Sequence, residues 1–140
     1  MHIHQGGCLC GSVRYEARGP LRDVVFCHCS QCRRQTGLYY AATAVAQEDF
    51  RLTGEEGLAW YAASMHARRG FCRMCGSVLF WKPEAGAHIA ILAGSLDDPT
   101  GLGCASHICT EGRPAFYEIC DGLPQYFRDS PDIAIAPHQG

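Results

Sequence analysis

A short loop with three cysteines is the stretch of this sequence best suited to chemistry. It runs from Phe26 to Gly37 and places Cys27, Cys29 and Cys32 (the loop cysteines) in a Cys-x-Cys-x-x-Cys spacing. Thiolates so spaced are typical zinc ligands, and three of them leave one of four tetrahedral positions for another group. A catalytic zinc site has that same count, because its fourth position receives water or substrate. The question is whether the chain supplies a fourth ligand.

Two further pairs of cysteines (the paired cysteines) offer ligands of the same kind. Cys8 and Cys10 stand at i and i+2, so on an extended strand their thiols point the same way. Cys72 and Cys75 are followed by Gly76, which can take the positive φ that folds backbone around a metal-bound sulfur. These seven cysteines predict zinc binding, and the two pairs favour a structural site with four cysteine ligands.

Spacing alone leaves the allocation of these ligands open. In one arrangement Cys29 and Cys32 bind one zinc ion together with Cys72 and Cys75, as in an ordinary zinc ribbon. In the other, the paired cysteines form one closed site, and the loop cysteines form a second site with three thiolates. The close clustering of the loop cysteines favours the second arrangement only slightly.

The elements that must position these thiols are mostly strand-like. Residues 13–17 alternate cleanly, and glycine and proline separate the later runs. Ser30 to Thr36 suits one helical turn, with Ser30 as N-cap and Gly37 as its stop. Propensity does not decide between helix and strand for residues 39–46. The other strand-like runs are 50–52, 58–61, 77–81, 88–92 and 115–119. The pattern predicts a mainly β, antiparallel fold.

Length and composition limit the classes of protein. A chain of 140 residues is most simply one domain, 1–140, in which about 131–140 would be a surface tail. The net charge of −2 gives no general attraction to nucleic acid or acidic lipid. There is no apolar run near the ~20 residues that span a bilayer, and no signal-peptide pattern. We therefore expect a cytoplasmic protein without nucleic-acid or membrane partners, whose cysteines are metal ligands or reactive thiols. The oligomeric state is not predicted.

Several runs of the sequence resemble one known family in order along the chain. They are residues 7–15, 27–33, 37, 71–77, 94–99, 107–108 and 121–124. In these runs the chain is similar to the glutathione-dependent formaldehyde-activating enzymes, a family that also includes centromere protein V. The resemblance covers nearly the whole chain.

The resemblance implies a fold, two zinc ions and an activity. The fold would be a small β architecture built around zinc, like the β-tent folds. The structural zinc would be held by Cys8, Cys10, Cys72 and Cys75, and a catalytic zinc by Cys27, Cys29 and Cys32. Its open position would receive a glutathione-type thiolate that adds to formaldehyde, giving S-hydroxymethylglutathione, or would catalyse the reverse carbon–sulfur lysis.

Other residues near the loop are candidates for binding the substrate. Arg33, with Arg34, would offset the site's negative charge or grip a carboxylate, unless both face solvent. Gln35 and Thr36 close the loop and are pocket candidates. His107, at a matched family position, lines the pocket or else packs as an ordinary strand histidine. His28 would point away from its cysteine neighbours, toward either a supporting contact or the surface.

Three further cysteines, Cys104, Cys109 and Cys120, match no ligand position and are expected to be buried free thiols. Three alternatives to the leading function remain. The same fold could act on another thiol adduct, the chain could be a non-catalytic zinc-scaffolded binding module, or these three cysteines could form a redox sensor.

Overall fold

Strands account for most of the described chain. The computed structural model describes residues 2–99 and 101–129, and the expected surface tail at 131–140 lies outside them. Strands make up 44% of the structure and helices 13%, which confirms the prediction of a mainly β fold. The elements are β1 (Ile3–Gly7), β2 (Val13–Arg18), β3 (Val24–Cys27), α1 (Ser30–Thr36), β4 (Tyr40–Ala46), β5 (Phe50–Glu55), β6 (Leu58–Tyr61), β7 (Ala67–Cys72), β8 (Val78–Pro83), β9 (His88–Leu92) and β10 (Cys104–Ile108), with 3₁₀ turns at Gln47–Asp49, Ala93–Ser95 and Thr110–Gly112.

Two sheets organise these strands. A three-stranded sheet has the order β1-β2-β5, and a seven-stranded sheet has the order β10-β3-β4-β9-β8-β7-β6. The named strand pairs are antiparallel except β10 with β3, which run parallel, so the antiparallel prediction needs that one correction. Parallel pairing requires a long connection, and the chain between these two strands passes through the rest of the sheet.

Packing decides the secondary structure of two segments, residues 39–46 and 115–119, for which local sequence patterns are a poor guide. The ambiguous residues 39–46 contain β4, a strand between β3 and β9 that is buried along most of its length. Its alanines suit such crowding because they need little space on either face. The expected strand at 115–119 is wrong: this stretch is a turn followed by irregular chain, and its Tyr117 instead contacts the loop near β3. An alternating apolar pattern forms a strand only where a neighbour pairs with it.

The main core lies under the alternating residues of β2. Val13, Tyr15 and Ala17 are fully buried, which confirms the face predicted for them. The ring of Tyr15 lies 5.7 Å from that of Phe50 and 5.3 Å from that of Phe80. A second buried cluster contains Cys32, Tyr40, Ala42 and Ala90 and supports the loop cysteines. Within the described residues, no helix has both the length and the apolar character needed to cross a membrane.

Candidate active site

The paired cysteines converge on one point. The sulfurs of Cys8, Cys10, Cys72 and Cys75 all lie within 4.8 Å of one another. The Cys8–Cys10 sulfur separation is 3.7 Å and the Cys10–Cys72 separation is 3.8 Å. Zinc–sulfur bonds of about 2.3 Å in a tetrahedron put neighbouring sulfurs about 3.8 Å apart. This donor set therefore fits a closed four-thiolate zinc site.

The backbone around this cluster has the conformation that such a site needs. Gly11 and Gly76 follow the second cysteine of each pair and have φ values of 84° and 81°, as predicted for Gly76. The amide of Val13 donates to the Cys8 sulfur at 3.3 Å, a contact that favours a thiolate. The left-handed glycines let each short turn fold back so that its two thiols face the same point.

The loop cysteines form a second cluster at the end of β3. Their sulfurs also lie within 4.8 Å of one another, and among the described residues no fourth histidine, cysteine or carboxylate joins this group. Sulfur positions thus divide the seven cysteines into a set of four and a set of three, rather than into a zinc ribbon. Three thiols at this spacing fit a zinc ion with one position left for an exchangeable ligand.

Local helix structure fixes two of these three thiols. The N-cap of α1 is Cys29, one residue before the predicted Ser30, because its sulfur accepts the amide of Cys32 at 3.3 Å. Gly37, with φ of 86°, ends the helix as expected. Contact with the Cys27 thiol, followed by the other contacts of the cluster, lowers the pKa of Cys29. Contacts with neighbouring thiols raise the pKa of Cys27 and Cys32, so the cluster without metal favours one thiolate, at Cys29.

A cavity of about 390 Å³ opens over the loop cysteines. That volume is within the range of small-molecule sites, about 300–1,000 Å³. Its walls come from β3, α1, β4 and the strands beside them. The lining residues are Arg22, Val25, Cys27, Cys29, Gln31, Cys32, Tyr40, Ala42, Ser64, Arg69, Trp81, His88, Ala90, Ile108, Cys109 and Asp129.

Arg69 is the charged side chain that contacts the thiol cluster directly. It is only 5% exposed, and its Nη1 and Nη2 lie 3.6 and 3.5 Å from the Cys32 sulfur. The guanidinium also donates to Gln35 at 3.1 Å and Gln31 at 3.3 Å, and lies 5.1 Å from the ring centre of Tyr40. Burial opposes its charge, but the attraction and hydrogen bonding of Cys32, together with attraction to Tyr40 and Cys29, outweigh burial and raise the pKa of Arg69. Arg69 is thus the arginine placed to offset the charge of the thiols, a role that was one of the alternatives for Arg33 and Arg34.

Replacing Arg69 by glutamine should weaken metal binding at the loop cysteines by roughly 10–100-fold, the usual cost of losing a group that supports metal ligands. Without the guanidinium, the negative charge of three clustered thiolates is no longer offset inside the cavity. Competition with a chromophoric chelator measures this affinity site by site.

The neighbouring arginine provides a matched control. Arg68 is partly exposed and forms an ion pair with Glu84 at 3.3 Å. Arg68→Gln should leave metal affinity within error, since exposed ion pairs contribute little. Equal losses in the two variants would show that Arg69 acts through general stability only.

A chain of hydrogen bonds lies on the other side of the loop cysteines. The Tyr117 hydroxyl lies 2.6 Å from His28 Nδ1, His28 Nε2 lies 2.8 Å from His107 Nδ1, and His107 Nε2 lies 2.7 Å from the Asp121 carboxylate. Because a carboxylate only accepts, His107 donates through Nε2; with both rings neutral, His28 then donates through Nε2 to His107 and Tyr117 donates to His28. Burial lowers the pKa of His28 to about 4, consistent with a neutral ring. His28 is fully buried, so the alternative that placed it on the surface is wrong.

Removing the middle of this chain should destabilise the fold. His107→Leu leaves the buried Nε2 donor of His28 without its acceptor, which costs about 1–3 kcal/mol of unfolding free energy. Urea unfolding followed by circular dichroism measures the loss. His66 is exposed, so His66→Leu should change stability by no more than about 0.5 kcal/mol. A His107→Leu protein as stable as this control would contradict the assigned network.

The four residues expected to bind substrate lie near the cavity without lining it. His107 packs in the hydrogen-bonded chain, Thr36 donates to the Cys32 carbonyl, and Gln35 accepts from Arg69. Arg33 lies in the last turn of α1 and is absent from the cavity wall. Their role in binding substrate stays a prediction. Sequence reasoning passed over Arg69 because an arginine doublet usually marks a solvated face, and no local signal set it apart from Arg68.

Comparison with known proteins identifies the family of the chain. The family model described as glutathione-dependent formaldehyde-activating enzyme matches residues 3–112. The chain belongs to this family. An uncharacterized lyase of Schizosaccharomyces pombe is 24% identical over 130 residues, which are 92% of this chain and 94% of that protein. A crystal structure of a Rhodobacter sphaeroides protein covers 87% of this chain and 98% of its own, with a TM-score of 0.58 and 22% identity, and so shares the fold.

Family membership supports a class of function but not a specific mechanism. It supports a lyase-like or formaldehyde-activating role and implies glutathione and formaldehyde as small-molecule substrates. The two cysteine clusters could hold metal ions, consistent with zinc. These are coarser statements than a mechanism.

Proposed function

We propose that the protein is a zinc-dependent carbon–sulfur lyase that joins a glutathione-type thiol to formaldehyde, giving S-hydroxymethylglutathione, and catalyses the reverse cleavage. Cys8, Cys10, Cys72 and Cys75 hold a structural zinc, and Cys27, Cys29 and Cys32 hold the catalytic one. All 140 residues form one domain. The observation that carries the proposal is a three-thiol cluster, with no fourth described ligand in its group, on the wall of a cavity of substrate size.

The chemistry needs a deprotonated thiol beside an aldehyde carbon. Zinc, when bound to the loop cysteines, supplies this by keeping a substrate thiol in its thiolate form at pH 7. The thiol proton leaves as the carbon–sulfur bond forms, and the aldehyde oxygen ends as a hydroxyl, so no oxidant or reductant is required. The cavity restricts the two reactants to one small volume, which replaces a bimolecular encounter with a positioned one.

The charge of the cavity wall suits this substrate class. Arg22 and Arg69 both line it, against one carboxylate among the described lining residues, Asp129. Glutathione carries carboxylates, which arginine binds well. Arg69 also offsets the three thiolates through its contact with Cys32. A neutral thiol of the same size should therefore be a poorer substrate than glutathione.

Exchange spectroscopy of glutathione and formaldehyde tests the proposal directly. The rate of exchange between free glutathione and its hydroxymethyl adduct is measured by proton NMR, with and without the fully zinc-loaded protein. The expected result is acceleration that disappears when a chelator removes one of two zinc ions per chain while circular dichroism stays unchanged. A protein with both zinc ions and no acceleration would overturn the activity and favour another thiol adduct or a binding module.

A further inference from the structure

Cys109 lies beside the loop cysteines without belonging to their cluster. Its thiol is in hydrogen-bond contact with the thiol of Cys27, and both residues line the cavity. Cys109 is not part of the group formed by Cys27, Cys29 and Cys32, whose sulfurs all lie within 4.8 Å of one another. The two cysteines are thus neighbours on the cavity wall, and only Cys27 is a predicted metal ligand.

Strand pairing brings these two cysteines within bonding reach. β10 runs parallel to β3 and places Ile108 opposite Cys27, and the His28 amide donates to the Ile108 carbonyl at 3.1 Å. Neighbouring strands lie about 4.8 Å apart, and a disulfide needs Cα atoms about 4.4–6.8 Å apart. Cys109 follows Ile108 directly and ends the strand with a φ of 56°. Cys109 lies one residue beyond the position opposite Cys27, so a strand spacing of about 4.8 Å and a rise of about 3.3 Å per residue put the two Cα atoms roughly 6 Å apart, within the range of a disulfide.

We propose that Cys27 and Cys109 form a reversible disulfide when a peroxide enters the cavity, and that this removes Cys27 from the metal cluster. One sulfur reduces the peroxide and becomes a sulfenic acid while one oxygen leaves as water or hydroxide. The other thiol attacks that sulfur, the sulfur–sulfur bond forms, and the second oxygen leaves as water. Two thiols and one hydrogen peroxide thus give one disulfide and two waters. Only Cys29 and Cys32 remain as ligands, too few for a stable zinc site.

Peptide mapping of the zinc-loaded, full-length protein tests this. The protein is treated with an equimolar amount of hydrogen peroxide, digested without reductant and analysed by mass spectrometry, while a chromophoric chelator reports released metal. We expect a Cys27–Cys109 disulfide, release of one zinc per chain, and recovery of both after addition of dithiothreitol and zinc. The Cys109→Ser variant should lose the disulfide and keep its zinc at the same dose.

Two exposed cysteines give matched controls. The expectation that Cys104, Cys109 and Cys120 are buried is wrong, because Cys104 and Cys120 are exposed and Cys109 is half-buried. Cys104→Ser and Cys120→Ser should form the disulfide and release zinc as the unchanged protein does, since both residues lie outside the two clusters. A disulfide among the loop cysteines themselves, or release of zinc by Cys109→Ser at the unchanged rate, would overturn the proposal. So would a Cys109→Ser protein that binds one zinc fewer before treatment, because Cys109 would then be a ligand. Mapping the unaltered protein depends neither on how the variants fold nor on the proposed activity.

Discussion

Cys29→Ser is expected to lower the catalysed rate of glutathione–formaldehyde exchange by at least about 100-fold, because even the loss of a supporting group around a metal costs roughly 10–100-fold. A serine hydroxyl is a much poorer zinc ligand than a thiolate. The change also removes the sulfur that caps α1 and accepts the Cys32 amide. Exchange NMR gives the rate, and elemental analysis should give one zinc per chain in place of two.

The same substitution at an exposed cysteine controls for loss of a thiol as such. Cys120 is exposed and lies outside both clusters, so Cys120→Ser should keep the rate and both zinc ions. The two cysteine clusters are separate, so the Cys29→Ser protein should still fold around the four-cysteine cluster. Unchanged activity in a Cys29→Ser protein with only one zinc would separate the activity from the loop cysteines and refute the proposed site.

Cys72→Ser is expected to have the largest effect on stability. Cys72 is fully buried at the end of β7, and its sulfur lies 3.8 Å from that of Cys10. The free energy with which zinc binds a structural site is folding free energy, so a lost ligand should cost about 3 kcal/mol or more. Domains of this kind have only about 5–15 kcal/mol in total. Urea unfolding of the zinc-loaded protein measures the difference.

The control for Cys72 is again an exposed cysteine. Cys104→Ser should unfold at the same urea concentration as the unchanged protein, within about 0.5 kcal/mol. Adding a strong chelator should move the unchanged protein toward the Cys72→Ser midpoint, since both treatments disrupt the same four-thiolate site. A Cys72→Ser protein that is as stable as the control would show that the paired cysteines do not hold a structural metal.

The two clusters differ in what surrounds their sulfurs, and this difference is why we propose a structural role for one and a catalytic role for the other. The paired cysteines complete a four-sulfur set by themselves, with serine hydroxyls at 3.2 Å from Cys72 and 3.3 Å from Cys75. Among the described residues the loop cysteines form a set of only three sulfurs, which line a cavity and lie next to the Arg69 guanidinium. A closed shell resists exchange, whereas three ligands leave a position that a thiol can enter.

Local patterns predicted the parts of this protein that depend on neighbours in the chain. The alternation of residues 13–17 predicted a buried face, and the glycine after Cys75 predicted a left-handed turn, because both effects act within a few residues. The count and spacing of the cysteines predicted metal binding, but spacing left the division of the ligands open, and the set of four and the set of three came from the family resemblance. These features required no knowledge of how distant strands align.

Tertiary structure alone decided the surroundings of the cavity. Arg69 reaches Cys32 across 37 residues, and His28 reaches His107 across 79. Such contacts depend on strand order and register, and a shift of one residue would turn each side chain to the opposite face. β7 also changes register between Gly70 and Phe71, close to Arg69. The sequence therefore determined which thiols are available as metal ligands, whereas the alignment of its strands decided which of them meet and which arginine and which further cysteine share the cavity with the loop cysteines.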